Sequence, residues 1–248
     1  MTEKSNDMEA RGAVAIIPAA GKGVRMGDGP YKQFLELDGK PILGLTLEKI
    51  QACPSIQAII VVAPPDQVDY CRRKVIEPWG IEKVEKVVTG GQRRQDSVRA
   101  GLEASGGRYD IVVIHDGVRP LVATELIETM VSSAKRHRAL IAAIPAKDTI
   151  KEVGERGLVA RTHHRECLWM AQTPQVFRFE DIMEAHYEAQ RKGWGDVTDD
   201  AQLVEKMGIA VKVIKGSEMN IKVTTHEDFI VARCLLELTK GQDHQGNR

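Results

Sequence analysis

The chain lacks an excess of either charge: its 35 Lys and Arg equal its 35 Asp and Glu. No global field therefore draws it to nucleic acid or to an anionic membrane, and any anion recognition must be local. Cysteine is sparse. Cys53, Cys71, Cys167 and Cys234 stand far apart without a CxxC pair, which excludes a disulfide or zinc framework. The seven histidines are scattered, and His163 and His164 are adjacent rather than spaced to share a helix face. A transition-metal site built by the protein is not expected. No apolar run approaches a membrane span, and the polar start MTEKSNDMEARG lacks the apolar segment of a secretion signal. No internal repeat or low-complexity stretch appears. Residues 1–11 and 241–248 are expected to be flexible tails on a soluble, cytoplasmic protein.

What is present is an ordinary globular composition, 42% hydrophobic and 28% charged with 4% aromatic, over 248 residues. That length can bury a real core, and nothing in the composition forces a split into two domains. Short runs rich in Val, Ile and Ala recur: AVAIIPA (13–19), IQAIIVVA (56–63), VEKVVT (84–89), DIVVIHD (110–116), ALIAAIPA (139–146) and IAVKVIKG (209–216). Several are apolar without alternation, as strands covered on both faces are. Segments with helical spacing lie between them, such as ILGLTLEKIQAC, QDSVRAGLEASG and FEDIMEAHYEAQRKG. Alternating strand and helix predicts an α/β fold, a Rossmann-like, mostly parallel sheet with helices on both faces. Ligands then bind beyond the carboxyl ends of the strands. Residues 146–168 break the pattern with two strand-like pieces, TIKEV and LVART, around Gly-Glu-Arg-Gly. This predicts a projecting β-arm, readable either as a surface ornament or as a reach toward a partner chain.

The loop after the first run reads PAAGKGVRMG. It fails the dinucleotide fingerprint, which needs Gly or Ala where Met26 stands, and the P-loop, which needs Ser or Thr where Gly23 stands. What remains is a glycine loop whose N–H groups can approach an anion, with Arg25 and Lys32 following. Arg can fork onto phosphate oxygens and Lys can add a point charge, although solvated surface charge is the plain alternative. TGGQRRQDSV is a second strand-to-helix loop. Its Ser97 reads equally as a ligand contact or as a first-turn hydroxyl satisfying local backbone, and Arg94 equally as an ion-pair partner of Asp96. Asp116 ends VVIHD at a strand terminus, where a carboxylate can meet a divalent ion or a sugar hydroxyl. Lys222 in NIKVT is expected at the end of an edge strand, before a capping box from Thr224 to Glu227. Thr198 reads as an N-cap before DDAQLVEKM.

PAAGKGVRMG with KQF, then TGGQRRQDSVRAGL, VIHDGVRP, AAIPAKDTIK, LWMAQTPQVF, TDDAQLVE and GSEMNIKVTT, in this order, closely resemble the 2-C-methyl-D-erythritol 4-phosphate cytidylyltransferases of the non-mevalonate isoprenoid pathway. The likeness runs from about Val14 to about Leu238. It implies one nucleotidyltransferase domain over 12–240, and transfer of CMP from CTP to methylerythritol 4-phosphate with Mg²⁺ and release of pyrophosphate. It further implies that Arg25, Lys32 and Lys222 act on the CTP phosphates. Ala19, Ala20, Gly21, Gly23, Gly90, Gly91, Gln92 and Ser97 would hold the nucleotide. Asp116, Arg119, Thr149, Arg165 and Thr198 would meet the second substrate, with Asp116 also open to the metal. The arm at 146–168 would embrace a second subunit and lend Thr149 and Arg165 to its neighbour's pocket. Tyr31 stands directly before Lys32 where the family usually has Pro, and Val24 and Gln92 stand where Arg and Asp are common. The alternatives are a ribitol 5-phosphate cytidylyltransferase, which the PAAG start and the DTIK and ECLWMAQTPQ stretches disfavour, and a non-catalytic CTP-binding regulator, which the retained cations disfavour.

Overall fold

A computed structural model describes residues 12–21, 31–195 and 197–245, with side chains as far as Thr239. Its elements in chain order are β1 (Ala13–Pro18), β2 (Glu36–Leu37), β3 (Lys40–Pro41), α1 (Ile42–Gln51), β4 (Ile56–Ala63) and α2 (Val68–Tyr70), which runs on as a π-helical turn, Cys71–Ile76. Then come β5 (Val84–Thr89), α3 (Arg94–Ser105), β6 (Ile111–Ile114), α4 (Thr124–Ser133), β7 (Ala139–Pro145), β8 (Lys151–Val153) and β9 (Val159–Thr162). The chain finishes with β10 (Trp169–Arg178), α5 (Phe179–Lys192), α6 (Ala201–Lys206), β11 (Val211–Lys215) and α7 (His226–Gln245).

Among the described residues the main sheet has seven strands in the order β11-β7-β10-β6-β1-β4-β5. The pairings of β1 with β4 and β6, of β4 with β5, and of β7 with β11 are parallel. β10 alone runs antiparallel, between β6 and β7. Both faces of the sheet are covered, which is why its strands read as unbroken apolar runs. Along β1, Ala13, Ala15 and Ile17 point into a cluster with Leu43 and Leu47 of α1 and Ile127 and Met130 of α4. Val14 and Ile16 point the other way, onto Val98 and Leu102 of α3 and Ile182 and Ala185 of α5. α3 lies close because Gly101 has no side chain: a Cβ there would stand 2.5 Å from Ile16 Cγ2.

β10 is the strand that the apolar pattern does not reveal. Its QTPQ stretch carries Pro174 inside a central strand, where a missing N–H breaks the ladder. The chain accommodates it at a register shift between Ala171 and Gln175. A second difference concerns NIKVT, which forms no strand; Val223 N–H donates to the Val118 carbonyl at 2.9 Å. The capping box also lies one residue further on, between Thr225 and Asp228. The Asp228 carboxylate accepts the N–H groups of Thr224 and Thr225, both at 2.8 Å, and the Thr225 hydroxyl accepts the Asp228 N–H at 3.2 Å. β8 and β9 pair antiparallel as a hairpin outside the main sheet, with Val153, Leu158 and Val159 exposed. All four cysteines are free. Among the described residues no helix is long and apolar enough to cross a membrane.

Candidate active site

The carboxyl ends of β1, β4, β5 and β6 open onto a cleft of about 750 Å³. One wall is the start of the first loop. Ala19 N–H donates to Val62 O at 2.8 Å, and the buried amide of Gln33 donates to Ala19 O at 2.6 Å, so this backbone is held from both sides. The opposite wall is the β5–α3 loop. Gly90 N–H donates to Ala63 O at 2.9 Å. A Cβ on Gly90 would lie 2.3 Å from Ala20 Cβ and 2.8 Å from Ser97 Oγ, so only glycine lets the two loops approach this closely. The Ser97 hydroxyl accepts Gly91 N–H at 3.1 Å and donates to Arg93 O at 3.2 Å, which gives it local partners at the cleft wall.

The floor is electrostatic. Asp116, just past β6, is buried and sits among three cations. Its Oδ1 faces Arg94 Nε at 3.2 Å, and its Oδ2 faces Lys222 Nζ at 2.9 Å and Arg119 Nε at 3.4 Å. Burial by itself would raise its pKa; Arg94, Lys222 and Arg119 outweigh that and hold the carboxyl far below the usual range. The same burial lowers Arg119, against the opposing pull of Asp116. Arg119 also donates to Asn220 O at 2.6 Å, which ties the Lys222 segment to the β6 end. Beside it His115 is wholly buried. Its Nε2 stands 3.2 Å from Arg119 O and its Nδ1 3.1 Å from Thr173 Oγ1, which in turn accepts Asp116 N–H at 3.0 Å. This network is satisfied by a neutral ring carrying its proton on Nε2.

Of the residues singled out in the sequence, Ala19, Ala20, Gly21, Lys32, Gly90, Gly91, Gln92, Ser97, Asp116 and Lys222 line the cleft together. Gly23 and Arg25 lie outside the described residues. Arg119 is buried behind Asp116, with the Asp116 carboxylate and the Asn220 carbonyl as its partners. Thr149, Arg165 and Thr198 are exposed and do not line this chain's cleft. Arg165 donates to Lys147 O at 2.8 Å, at the base of the arm. Thr198 is not the cap of α6: the Asp199 carboxylate accepts Gln202 N–H at 3.0 Å, while Thr198 N–H donates to Gln202 Oε1 at 2.9 Å. The partner of Asp96 is Arg93 at 2.9 Å, not Arg94, which turns inward to Asp116 and Asp200. Pro64, Pro65, Arg93 and Arg94 line the cleft without having been singled out as site residues. Arg94 had a visible signal, its place in a glycine-rich strand-to-helix loop.

The sequence profile of the family described as IspD, 2-C-methyl-D-erythritol 4-phosphate cytidylyltransferase, matches residues 13–238. A curated relative of that name from Geobacter metallireducens is 44% identical over 226 residues, covering 90% of this chain and 97% of that protein. Another, from Geotalea uraniireducens, is 46% identical over 225 residues, covering 90% and 96%. Among solved structures, 4-diphosphocytidyl-2C-methyl-D-erythritol synthase from Anaerococcus prevotii superposes with a TM-score of 0.80 at 34% identity, over 91% of this chain and 96% of that one. The 2-C-methyl-D-erythritol 4-phosphate cytidylyltransferase from Thermus thermophilus gives a TM-score of 0.73 at 31% identity, over 90% and 97%.

The His115 network makes stability depend on pH. Burial pushes its pKa down from 6.5 to about 4, so between those values the unfolded chain binds a proton that the folded chain refuses. The contribution is intact above pH 6.5 and is lost as pH falls toward 4, at a slope of up to about 1.4 kcal/mol per pH unit. Urea unfolding followed from pH 7 to pH 4 is expected to show this slope in the wild type and a shallower one in His115→Gln; equal slopes would remove His115 as the cause.

Proposed function

The chain belongs to the 2-C-methyl-D-erythritol 4-phosphate cytidylyltransferase family, and from that premise we propose that it transfers CMP from CTP to the phosphate of methylerythritol 4-phosphate, with the roles divided as follows. A phosphate oxygen of methylerythritol 4-phosphate attacks the α-phosphorus of CTP, an anhydride bond forms, and the α–β bond breaks to release pyrophosphate. An anion approaches an anion here and charge builds on the leaving group, so no protein nucleophile is needed. Catalysis is positioning and electrostatic stabilisation. Lys222 meets the α-phosphate, and Lys32 with Arg25 takes the charge developing on the β- and γ-phosphates. Gly90, Gly91 and Gln92, with the backbone of Ala19, Ala20, Gly21 and Gly23, hold the base and ribose, and Ser97 fixes the loop that does so. The observation that carries this reading is that Lys32 and Lys222 line the same cleft as the glycine loops, at the carboxyl ends of parallel strands.

Magnesium belongs to the same proposal. Among the described residues no three His, Cys, Asp or Glu side chains come together as a metal cage, and Asp116 is the one carboxylate lining the cleft. That donor set fits an ion carried largely by nucleotide phosphates and water, with Asp116 supplying a single oxygen. An ion bound there would neutralise phosphate charge. Asp116 otherwise orients Lys222 and is available to a hydroxyl of the second substrate.

The reading includes a homodimer in which the arm carries Thr149 and Arg165 to the neighbouring cleft, where the Arg165 guanidinium would fork onto the methylerythritol phosphate and Thr198 would add a contact. Its support is that Arg165 and Thr149 are exposed on or beside a hairpin with exposed apolar side chains. A cytoplasmic setting is part of the same proposal.

Pyrophosphate release with CTP and Mg²⁺ is expected with methylerythritol 4-phosphate and not with ribitol 5-phosphate. The reverse preference would reassign the substrate, and CTP binding without turnover on either would make the chain a regulator. Mixing inactive Arg165→Ala and Lys32→Ala chains is expected to regenerate part of the activity in heterodimers. No recovery after verified subunit exchange would refute the shared site.

A further inference from the structure

The charge cluster at the floor of the cleft does not end at Asp116. Arg94, on the first turn of α3, is forked between two carboxylates: Nε reaches Asp116 Oδ1 at 3.2 Å and Nη1 reaches Asp200 Oδ2 at 2.6 Å. Asp200 comes from the start of α6 and is 1% exposed. Its surroundings are fixed. Gln175 of β10, also buried, accepts Ala201 N–H at 3.1 Å and donates to Asp199 at 2.8 Å. His186 Nε2 lies 3.4 Å from Asp200 Oδ1 on the far side.

A buried ion pair is by itself weak grounds for function, since such a pair can simply strap two helices together. Two features point beyond a strap. The Arg94 side chain remains 29% exposed and lines the cleft, so it is not wholly spent in the core. Its second branch ends on the one carboxylate oxygen of Asp116 that Lys222 does not use; Lys222 holds the other at 2.9 Å. A strap between α3 and α6 would need only the Asp200 branch.

We infer that Asp200 and Arg94 are positioning residues: Asp200 aims the Arg94 guanidinium, Arg94 occupies Oδ1 of Asp116, and Asp116 is thereby left with Oδ2 turned to Lys222. If Asp200 loses its charge, Arg94 turns fully to Asp116 and competes with Lys222 for that carboxylate. Lys222 is then released from its place at the cleft floor. The activity consequences rest on the proposed role of Lys222 at the α-phosphate; the contact chain itself does not.

The test uses the full chain with two readouts. Steady-state kinetics of Asp200→Asn are expected to show kcat lowered about 10- to 100-fold with the KM for CTP little changed, because the glycine loops that hold the nucleotide are untouched. Labelling of Lys222 by an acylating reagent, read by mass spectrometry, is expected to be at least about twofold faster than in the wild type once the charge-assisted bond to Asp116 no longer shields the amine. Exposed Lys192 should label at an unchanged rate. Because Asp200→Asn leaves Arg94 half-paired and can impair folding, a second variant, Arg94→Met with Asp200→Leu, replaces the pair by apolar groups, a change buried pairs often tolerate in stability. It is expected to label Lys222 at the wild-type rate, since no guanidinium then competes for Asp116, whereas a general loosening of the cleft floor would speed labelling in both variants. Lys222 labelling as fast in that double variant as in Asp200→Asn, or unchanged Lys222 labelling and kcat in Asp200→Asn, would overturn the inference. Faster Lys222 labelling in a protein that turns over neither phosphate substrate would support the contact chain and reject only the substrate reading.

Discussion

The site depends on one carboxylate kept ionised in a buried place. Asp116 has almost no access to water, and an isolated charge there would cost several kcal/mol in lost hydration. It stays charged because α3, the β6 end and the segment before α7 each bring a cation to it, as Arg94, Arg119 and Lys222. α3 and β6 follow one another in the chain, whereas the Lys222 segment comes from near its other end. The interaction therefore does two things at once: it fastens three parts of the chain across the mouth of the sheet, and it fixes where an ammonium stands relative to the glycine loops.

The surrounding structure serves that arrangement. The neutral His115 ring spans Arg119 O and Thr173 Oγ1, and so links the β6 end to β10 without adding another charge. Asn220 donates to Thr173 O at 2.7 Å and accepts Arg119 through its own carbonyl, which holds the residues just before Lys222 in place although no strand includes them. Gly90 lets the second loop close against Ala20, so the glycine-rich walls and the charged floor belong to one cleft. For a reaction in which two anions must meet, a rigid array of cations and N–H groups is the main resource a protein can offer.

Much of this was legible in the residues. The runs from AVAIIP onward read as buried parallel strands because both faces are covered, and the two glycine loops read as ligand loops because they follow strands. β10 was hidden by Pro174, which argues locally against a central strand and is overruled by tertiary pairing on either side of it. The choice between Arg93 and Arg94 turned on helix phase. Arg93 stands at the N-cap and folds back onto Asp96, whereas the next residue faces inward, a difference of one position that spacing does not resolve. Asp200 was out of reach for another reason: it lies 106 residues from Arg94, and only the tertiary fold, in which α3 and α6 both pack on α5, brings them together.

The central claim is that the Asp116 cluster holds Lys222 where it stabilises the transition state rather than merely binding CTP. Single-turnover rapid-quench kinetics of Lys222→Ala, with CTP affinity measured separately, test it most directly. The account predicts a chemical step slowed by roughly a hundredfold or more with CTP affinity changed by only a few fold. A wild-type chemical rate, or a loss confined to CTP affinity, would contradict it.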